Sequence, residues 1–314
     1  MKISFLGKGG SGKTTISGAF IRWLSEKSEV IAIDADLNVH LQNTLGIEGD
    51  LIEISERINE IKDYLRGNRN DITNDDFLST TPPSKKSRFI KPTKNDPFIK
   101  KFSIQKGNIS FMKVGSYNNE DIGHNCYHSK LGSLEHIFHH MLDEKNDYVI
   151  SDATAGVDNL GTSLFYSYDI NFFVVEPTEK SASVFLDFLK HCEEKKVKVY
   201  AIGNKIEDEE DLEFLKNKIG EKSILTWIPY EKSIRKFEQG DNDSMNNFIE
   251  KNKEKFSLIK EKIDSIEKDW KKYHSNLVNA HKEGCQSWWN DYYKKDLASI
   301  VDYTFSYEDT IKKK

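Results

Sequence analysis

The sequence predicts an α/β fold: a doubly wound, mostly parallel sheet with an irregular insertion and an α-helical C-terminal extension. Three observations predict it. Short β-branched runs alternate with helical patterns from the first residue, the runs are almost continuously apolar, and the first of them passes through a glycine-rich turn into a helix. Strands that are apolar on both faces and separated by helices suit a parallel sheet covered on each side. The strand-like runs are residues 2–6, 30–34, 109–114, 148–152, 171–176, 197–203 and 223–228, with the first helix following Ile16, Phe20 and Leu24.

With 314 residues, 37% hydrophobic and 31% charged, the chain can bury about three quarters of its unfolded surface, which excludes a disordered, collagenous or disulfide-scaffold protein. Three cysteines, Cys126, Cys192 and Cys285, form no even framework and predict a reducing, cytoplasmic setting. No segment approaches the roughly 20 apolar residues of a bilayer span, and the immediate start of the first strand leaves no room for a signal peptide. A formal charge of −5 argues against general attraction to nucleic acid or to an anionic membrane.

Two stretches interrupt the alternation. Residues 67–97 hold four of the six prolines, with Lys85, Lys86, Arg88, Lys91 and Lys94 among them, and predict an exposed, partly irregular insertion. Its charge suits a solvated loop or a contact with an acidic partner or phosphate. In residues 245–314, Phe256, Ile259, Ile263, Ile266, Trp270, Tyr273, Leu277 and Ala280 alternate spacings of three and four, the seam of one long helix. That seam packs on its own domain or on a partner. Trp288, Trp289, Tyr292, Tyr293, Tyr303, Phe305 and Tyr307 then either fill a small core or form a docking face. The division expected is a nucleotide-binding domain over residues 1–244 and an extension over 245–314.

The strongest chemical signal is Gly7-Lys8-Gly9-Gly10-Ser11-Gly12-Lys13-Thr14, a G-x-x-x-x-G-K-[ST] loop between the first strand and first helix. Glycines bring backbone N–H groups against phosphate oxygens, and the helix start adds its positive dipole end. Gly9, Gly10, Ser11, Gly12, Lys13, Thr14 and Thr15 are the expected nucleotide contacts. Lys13 meets the β- and γ-phosphates, and the Thr14 hydroxyl ligates Mg²⁺.

Lys8, just after the first glycine, makes the loop resemble the deviant Walker A motif of the MinD/ParA and nitrogenase iron-protein family of dimeric P-loop ATPases. The resemblance implies that Lys8 reaches a partner's ATP across a homodimer and stabilises transition-state charge. Further positions fit in order over about residues 1–245. Asp34-Ala35-Asp36 resembles switch I, which implies that Asp36 positions or deprotonates the attacking water. Asp152, ending the run that begins at Tyr148, resembles a Walker B acid and implies a role in the Mg²⁺ shell, with Gly156 sensing the γ-phosphate in switch II. Asn204-Lys205 implies adenine recognition, and Pro229-Tyr230 a wall beside the base.

Within the family, the chain resembles the nickel-insertion ATPases that mature carbon monoxide dehydrogenase. Their Cys-x-Cys metal motif corresponds to His124-Asn125-Cys126 here. A thiolate and an imidazole from each of two subunits make a set compatible with Zn²⁺ or Ni²⁺, whereas the alternative is a small buried cysteine and a solvated histidine. His139 and His140 fall in a helical pattern with no metal role expected. The leading expectation is an ATP-hydrolysing dimeric switch controlling a client protein or metalloenzyme maturation. The alternatives are an assembly subunit acting through its C-terminal extension and a DNA-partition ATPase.

Overall fold

The computed structural model describes residues 1–50, 52–116, 127–154 and 161–313. Eight strands, β1 (Lys2–Gly7), β2 (Val30–Ala35), β3 (Ile104–Lys106), β4 (Ile109–Lys113), β5 (Tyr148–Ala153), β6 (Ile170–Val175), β7 (Val199–Ile206) and β8 (Ile224–Pro229), form one sheet in the order β3-β4-β2-β5-β1-β6-β7-β8. All neighbours are parallel except β3, a short hairpin strand antiparallel to β4 that the sequence patterning passes over. The helices are α1 (Lys13–Ser25), α2 (Leu41–Thr44), α3 (Ile58–Arg66), α4 (Pro97–Phe102), α5 (Tyr127–His139), α6 (Leu164–Ser167), α7 (Glu179–Glu194), α8 (Glu209–Ile219), α9 (Ser233–Glu238), α10 (Asn242–Asp264), α11 (Trp270–Gly284), α12 (Asn290–Tyr293) and α13 (Tyr307–Lys312).

The central strands are buried along their whole length, so their polar side chains must be paired. In β1, Ser4 Oγ donates to Asn171 Oδ1 at 2.5 Å and Lys2 Nζ meets Asp143 at 2.8 Å. One apolar layer, with Ile3, Phe5, Phe20 and Phe172, is covered by α1 and α10; layers with Ile31, Ile33 and Phe138, and with Phe173, Phe185 and Phe188, cover the opposite face. The lettered order of the sheet puts β1 between β5 and β6, and the loop leaving β1 therefore opens at the C-terminal edge where ligands bind in such sheets.

Two expectations are corrected. The seam is carried by two helices rather than one: α10 stops at Asp264 with Ser265 as its cap, and α11 restarts after Asp269, whose side chain accepts from Lys272 N–H. The intervening turn lets Lys268 reach Asp143 and, at 2.8 Å, Asp169. Seven of the eight seam residues are buried against the protein's own body, so the seam is not left for a partner. The insertion is irregular, as expected, but exposure is confined to parts of it such as Lys85, Lys86 and Arg88. Arg69, Ile72, Phe77, Leu78, Phe89 and Ile90 are buried. Its apolar side chains pack on α5 and on the C-terminal segment, where Phe89 stacks on Phe305 with ring centres 5.6 Å apart. The late aromatics divide: Phe305 and Tyr307 join Trp270 and Tyr273 in a small core, while Trp288, Tyr292 and Tyr303 are exposed.

Candidate nucleotide site

Gly10 and Gly12 take φ of +82° and +91°, conformations that side chains disfavour, and these turns close the loop over the start of α1. Ser11 N–H donates to the Lys8 carbonyl at 3.0 Å. Gly12 also sits where a Cβ would lie 2.4 Å from Asn204 Nδ2, so only glycine permits this approach. The first turn of α1 has no side-chain cap, which leaves its amides directed at the loop.

Two strand ends deliver three carboxylates around Lys13. Asp34 and Asp152 are register neighbours on β2 and β5, and Asp36 follows β2. Lys13 Nζ forms an ion pair with Asp36, and both side chains are nearly buried. Burial alone would lower the Lys13 ammonium; Asp152, Asp36 and Asp34 overcome it and hold it above its ordinary value. Asp36 also accepts from Asn38 N–H at 2.9 Å, fixing the turn after β2.

Thr14 Oγ1 donates to Asp152 Oδ2 at 2.6 Å. Burial raises Asp152, against the lowering influence of Lys13 and Thr14. Its other oxygen, Oδ1, is buried and has no hydrogen-bond partner among the described residues. A hydroxyl beside an under-satisfied carboxylate is a hard oxygen donor set, and it fits Mg²⁺. Asp34 is buried with its Oδ2 accepting from Leu41 N–H at 2.8 Å and Oδ1 from Asp36 N–H at 3.2 Å. Burial and the neighbouring Asp152 push its carboxyl up to about 8.

Beside the loop opens a cleft of about 510 Å³, a volume in the small-molecule range, walled by Gly10, Gly12, Thr15, Asn204, Lys205, Pro229 and Tyr230 and closed by Ile234, Arg235 and Phe248. Lys8 is half-buried at the loop rim, its Nζ 3.4 Å from the Gly9 carbonyl. The structure thus brings together Lys8, Lys13, Thr14, Thr15, Asp36, Asp152, Asn204, Lys205 and Pro229. Asn204 donates to the Ser11 carbonyl at 2.7 Å, which ties it to the loop as well as to the cleft wall. Gly156, His124 and Cys126 lie outside the described residues. Among the described residues, no group of three His, Cys, Asp or Glu could hold a metal ion.

Sequence reasoning gave Asp34 no role of its own. Its character is set by the Asp152 carboxylate beside it in the sheet, a neighbour that no local spacing in the sequence announces.

Fold and loop define a P-loop nucleotide-binding protein of the α/β class. Residues 4–269 match the family model of the CobQ/CobB/MinD/ParA nucleotide binding domain, and the chain belongs to that family. It is 30% identical over 244 residues to an uncharacterized ATP-binding protein of Methanocaldococcus jannaschii, covering 76% of this chain and 88% of the relative. It is 25% identical over 241 residues to the carbon monoxide dehydrogenase accessory protein CooC of Rhodospirillum rubrum, covering 76% and 87%. The fold is shared with a ParA family ATPase from Chlorobium tepidum TLS, at a TM-score of 0.55 and 18% identity over 79% of this chain and 95% of that one. It is likewise shared with the septum site-determining protein MinD of Pyrococcus horikoshii OT3 complexed with Mg-ADP, at 0.51 and 16% over 90% and 96%. No helix among the described residues is long and apolar enough to cross a membrane.

Proposed function

We propose that the protein is a slow ATPase acting as a dimeric switch, closed by ATP as a homodimer and reopened by hydrolysis, that controls a client protein in metalloenzyme maturation. The observation that carries this reading is the division of labour between two lysines of one loop. Lys13 is buried among three carboxylates inside its own subunit, whereas Lys8 stands half-buried at the rim, its Nζ held only by the Gly9 carbonyl of its own loop at 3.4 Å. Likeness to the carbon monoxide dehydrogenase accessory protein supports the maturation role.

The arriving triphosphate competes with Asp36 for Lys13. Once Lys13 turns to the phosphates, Asp36 is freed to orient the attacking water, as the family resemblance assigns it. Thr14 and Asp152 would hold Mg²⁺, which would supply charge neutralisation for the triphosphate. Asn204, Lys205, Thr15 and Pro229 hold the loop and the base side of the nucleotide. Gly156 serves as the γ-phosphate sensor of switch II. His124 and Cys126 of each of two subunits would together hold Zn²⁺ or Ni²⁺ at the interface between them. The exposed Trp288, Tyr292 and Tyr303 are the candidate client contacts.

Light scattering with and without a non-hydrolysable ATP analogue tests the switch. The parent chain doubles its mass with the analogue, and Lys8→Ala binds the analogue but stays monomeric and does not hydrolyse ATP. A Lys8→Ala chain that dimerises and hydrolyses at the parental rate overturns the trans role.

A further inference from the structure

We infer that Glu176, at the end of β6, is a positioning residue for the phosphate loop, acting through Lys205 on the Gly10 peptide. This deepens the nucleotide-site reading above and rests on it.

The sheet carries a fault between β7 and β8. In β7 and β8, Gly203 is the register partner of Trp227, and Ile206 that of Pro229. Two residues of β7, Asn204 and Lys205, therefore oppose the single Ile228. This is a β-bulge, and Lys205 takes a φ of +60° within it. Along a regular strand, consecutive side chains leave on opposite faces. The bulge removes that alternation, so both side chains reach the same loop.

They take consecutive carbonyls. Asn204 Nδ2 donates to the Ser11 oxygen at 2.7 Å, and Lys205 Nζ to the Gly10 oxygen at 2.8 Å. In a trans peptide the carbonyl and the next N–H point in opposite directions. Holding the Gly10 oxygen sets the Ser11 N–H, and holding the Ser11 oxygen turns the Gly12 N–H away from Asn204. Both glycines have a positive φ that a free chain would leave readily, so these two hydrogen bonds restrict a segment with little stiffness of its own.

A lysine has four rotatable side-chain bonds and does not hold one carbonyl unaided. Here Glu176 Oε1 accepts from Lys205 Nζ at 2.6 Å, and its side chain is only 17% exposed. Glu176 is itself placed by its backbone N–H, which donates to Ser181 Oγ at 3.0 Å. The first turn of α7 and the ends of β6 and β7 thereby form a relay, Ser181 to Glu176 to Lys205, that ends on the loop. Neither carboxylate oxygen needs to touch the nucleotide, and a carboxylate facing the phosphates would repel them.

The test uses the full chain and two readouts. The first is amide hydrogen exchange of the peptide spanning residues 8–16 without ligand; the second is equilibrium binding of a fluorescent ATP analogue with Mg²⁺. Glu176→Gln and Lys205→Met are each expected to speed exchange in that peptide and to weaken binding by about tenfold, the scale of one charge-assisted hydrogen bond. In the Lys205→Met background, Glu176→Gln is expected to add nothing further, and with Lys205 intact Glu176→Asp is expected to lose less than Glu176→Gln does. Parental exchange in Glu176→Gln, or an undiminished Glu176→Gln effect when Lys205 is already Met, overturns the relay. A parent chain that does not bind the analogue counts against the nucleotide reading instead, and exchange alone then decides the relay.

Discussion

Asp34 and Asp152 stand as register neighbours at the C-terminal ends of β2 and β5, two buried carboxyl groups that both act on the Lys13 ammonium. Burial with a second carboxylate alongside keeps the proton on Asp34 up to about pH 8. Between the unfolded value near 4 and that folded value, the native state binds more protons than the unfolded chain, so stability falls as pH rises. The ligand-free protein is expected to lose about 2 to 4 °C in Tm between pH 6.5 and 8. Asp34→Asn, which keeps an acceptor for Leu41 N–H, flattens this slope. Thermal melts by circular dichroism check it, and an unchanged slope in the variant refutes the assignment.

Below pH 6.5 a different set of groups governs stability, with the opposite sign. His136, His139 and His140 are fully buried, and burial first, then nearby cations, holds all three below the ordinary histidine value, His140 down to about 3. The unfolded chain therefore takes up protons that the native state refuses, and stability is lost as pH falls from 6.5 toward 4. His136 stacks edge-on against Phe77 at 4.6 Å and its Nδ1 has no partner among the described residues, so His136→Leu sacrifices few polar contacts. That variant is expected to lose Tm less steeply between pH 6 and 4 than the parent does. An equal or steeper loss counts against histidine control of the acid limb.

The sheet was legible in the sequence because its core strands are apolar on both faces and each runs directly into a loop or a helix. The phosphate loop was legible because its chemistry is local, eight consecutive residues from Gly7 to Thr14. What escaped has no local signature. Asp34 gains its character from Asp152, more than 100 residues away in the chain, and Glu176 matters only because a bulge turns Lys205 toward Gly10. The break between α10 and α11 escaped because the apolar spacing runs unbroken across it, while Asp269 and the ion pairs of Lys268 decide the geometry.

The Lys13–Asp36 ion pair must open when a phosphate takes the ammonium. Asp36→Asn removes the competing charge, and it is expected to tighten ATP binding several-fold while abolishing hydrolysis. Lys13→Ala is expected to weaken binding roughly 10- to 100-fold, the loss of charge-assisted contacts to phosphate. It also leaves Asp36 and Asp152 without their shared cation, so its ligand-free Tm falls as well. Calorimetric titration with a non-hydrolysable analogue separates the pair: weaker binding in Asp36→Asn contradicts the competition.

Arg69 ties the insertion to the end of the chain, beyond the residues that match the family model. Its guanidinium is 1% exposed, pairs with Asp71 at 3.0 Å, and donates to the carbonyls of Pro82 at 3.3 Å and Ile300 at 2.8 Å. Removing it leaves the buried Pro82 carbonyl and the part-buried Ile300 carbonyl without their donor, a change that costs about 1 to 3 kcal/mol. The neighbouring contacts, Phe89 on Phe305 and Thr80 on His281, span the same joint and lose their anchor together. Arg69→Met is therefore expected to unfold at lower denaturant and to expose the segment from Trp270 onward to limited proteolysis, while ATP affinity stays within about twofold because the joint lies on α5 and α11 rather than on the phosphate loop. Cleavage that begins instead near the phosphate loop, or a C-terminal segment as resistant as the parent's, shows that the two stretches fold independently.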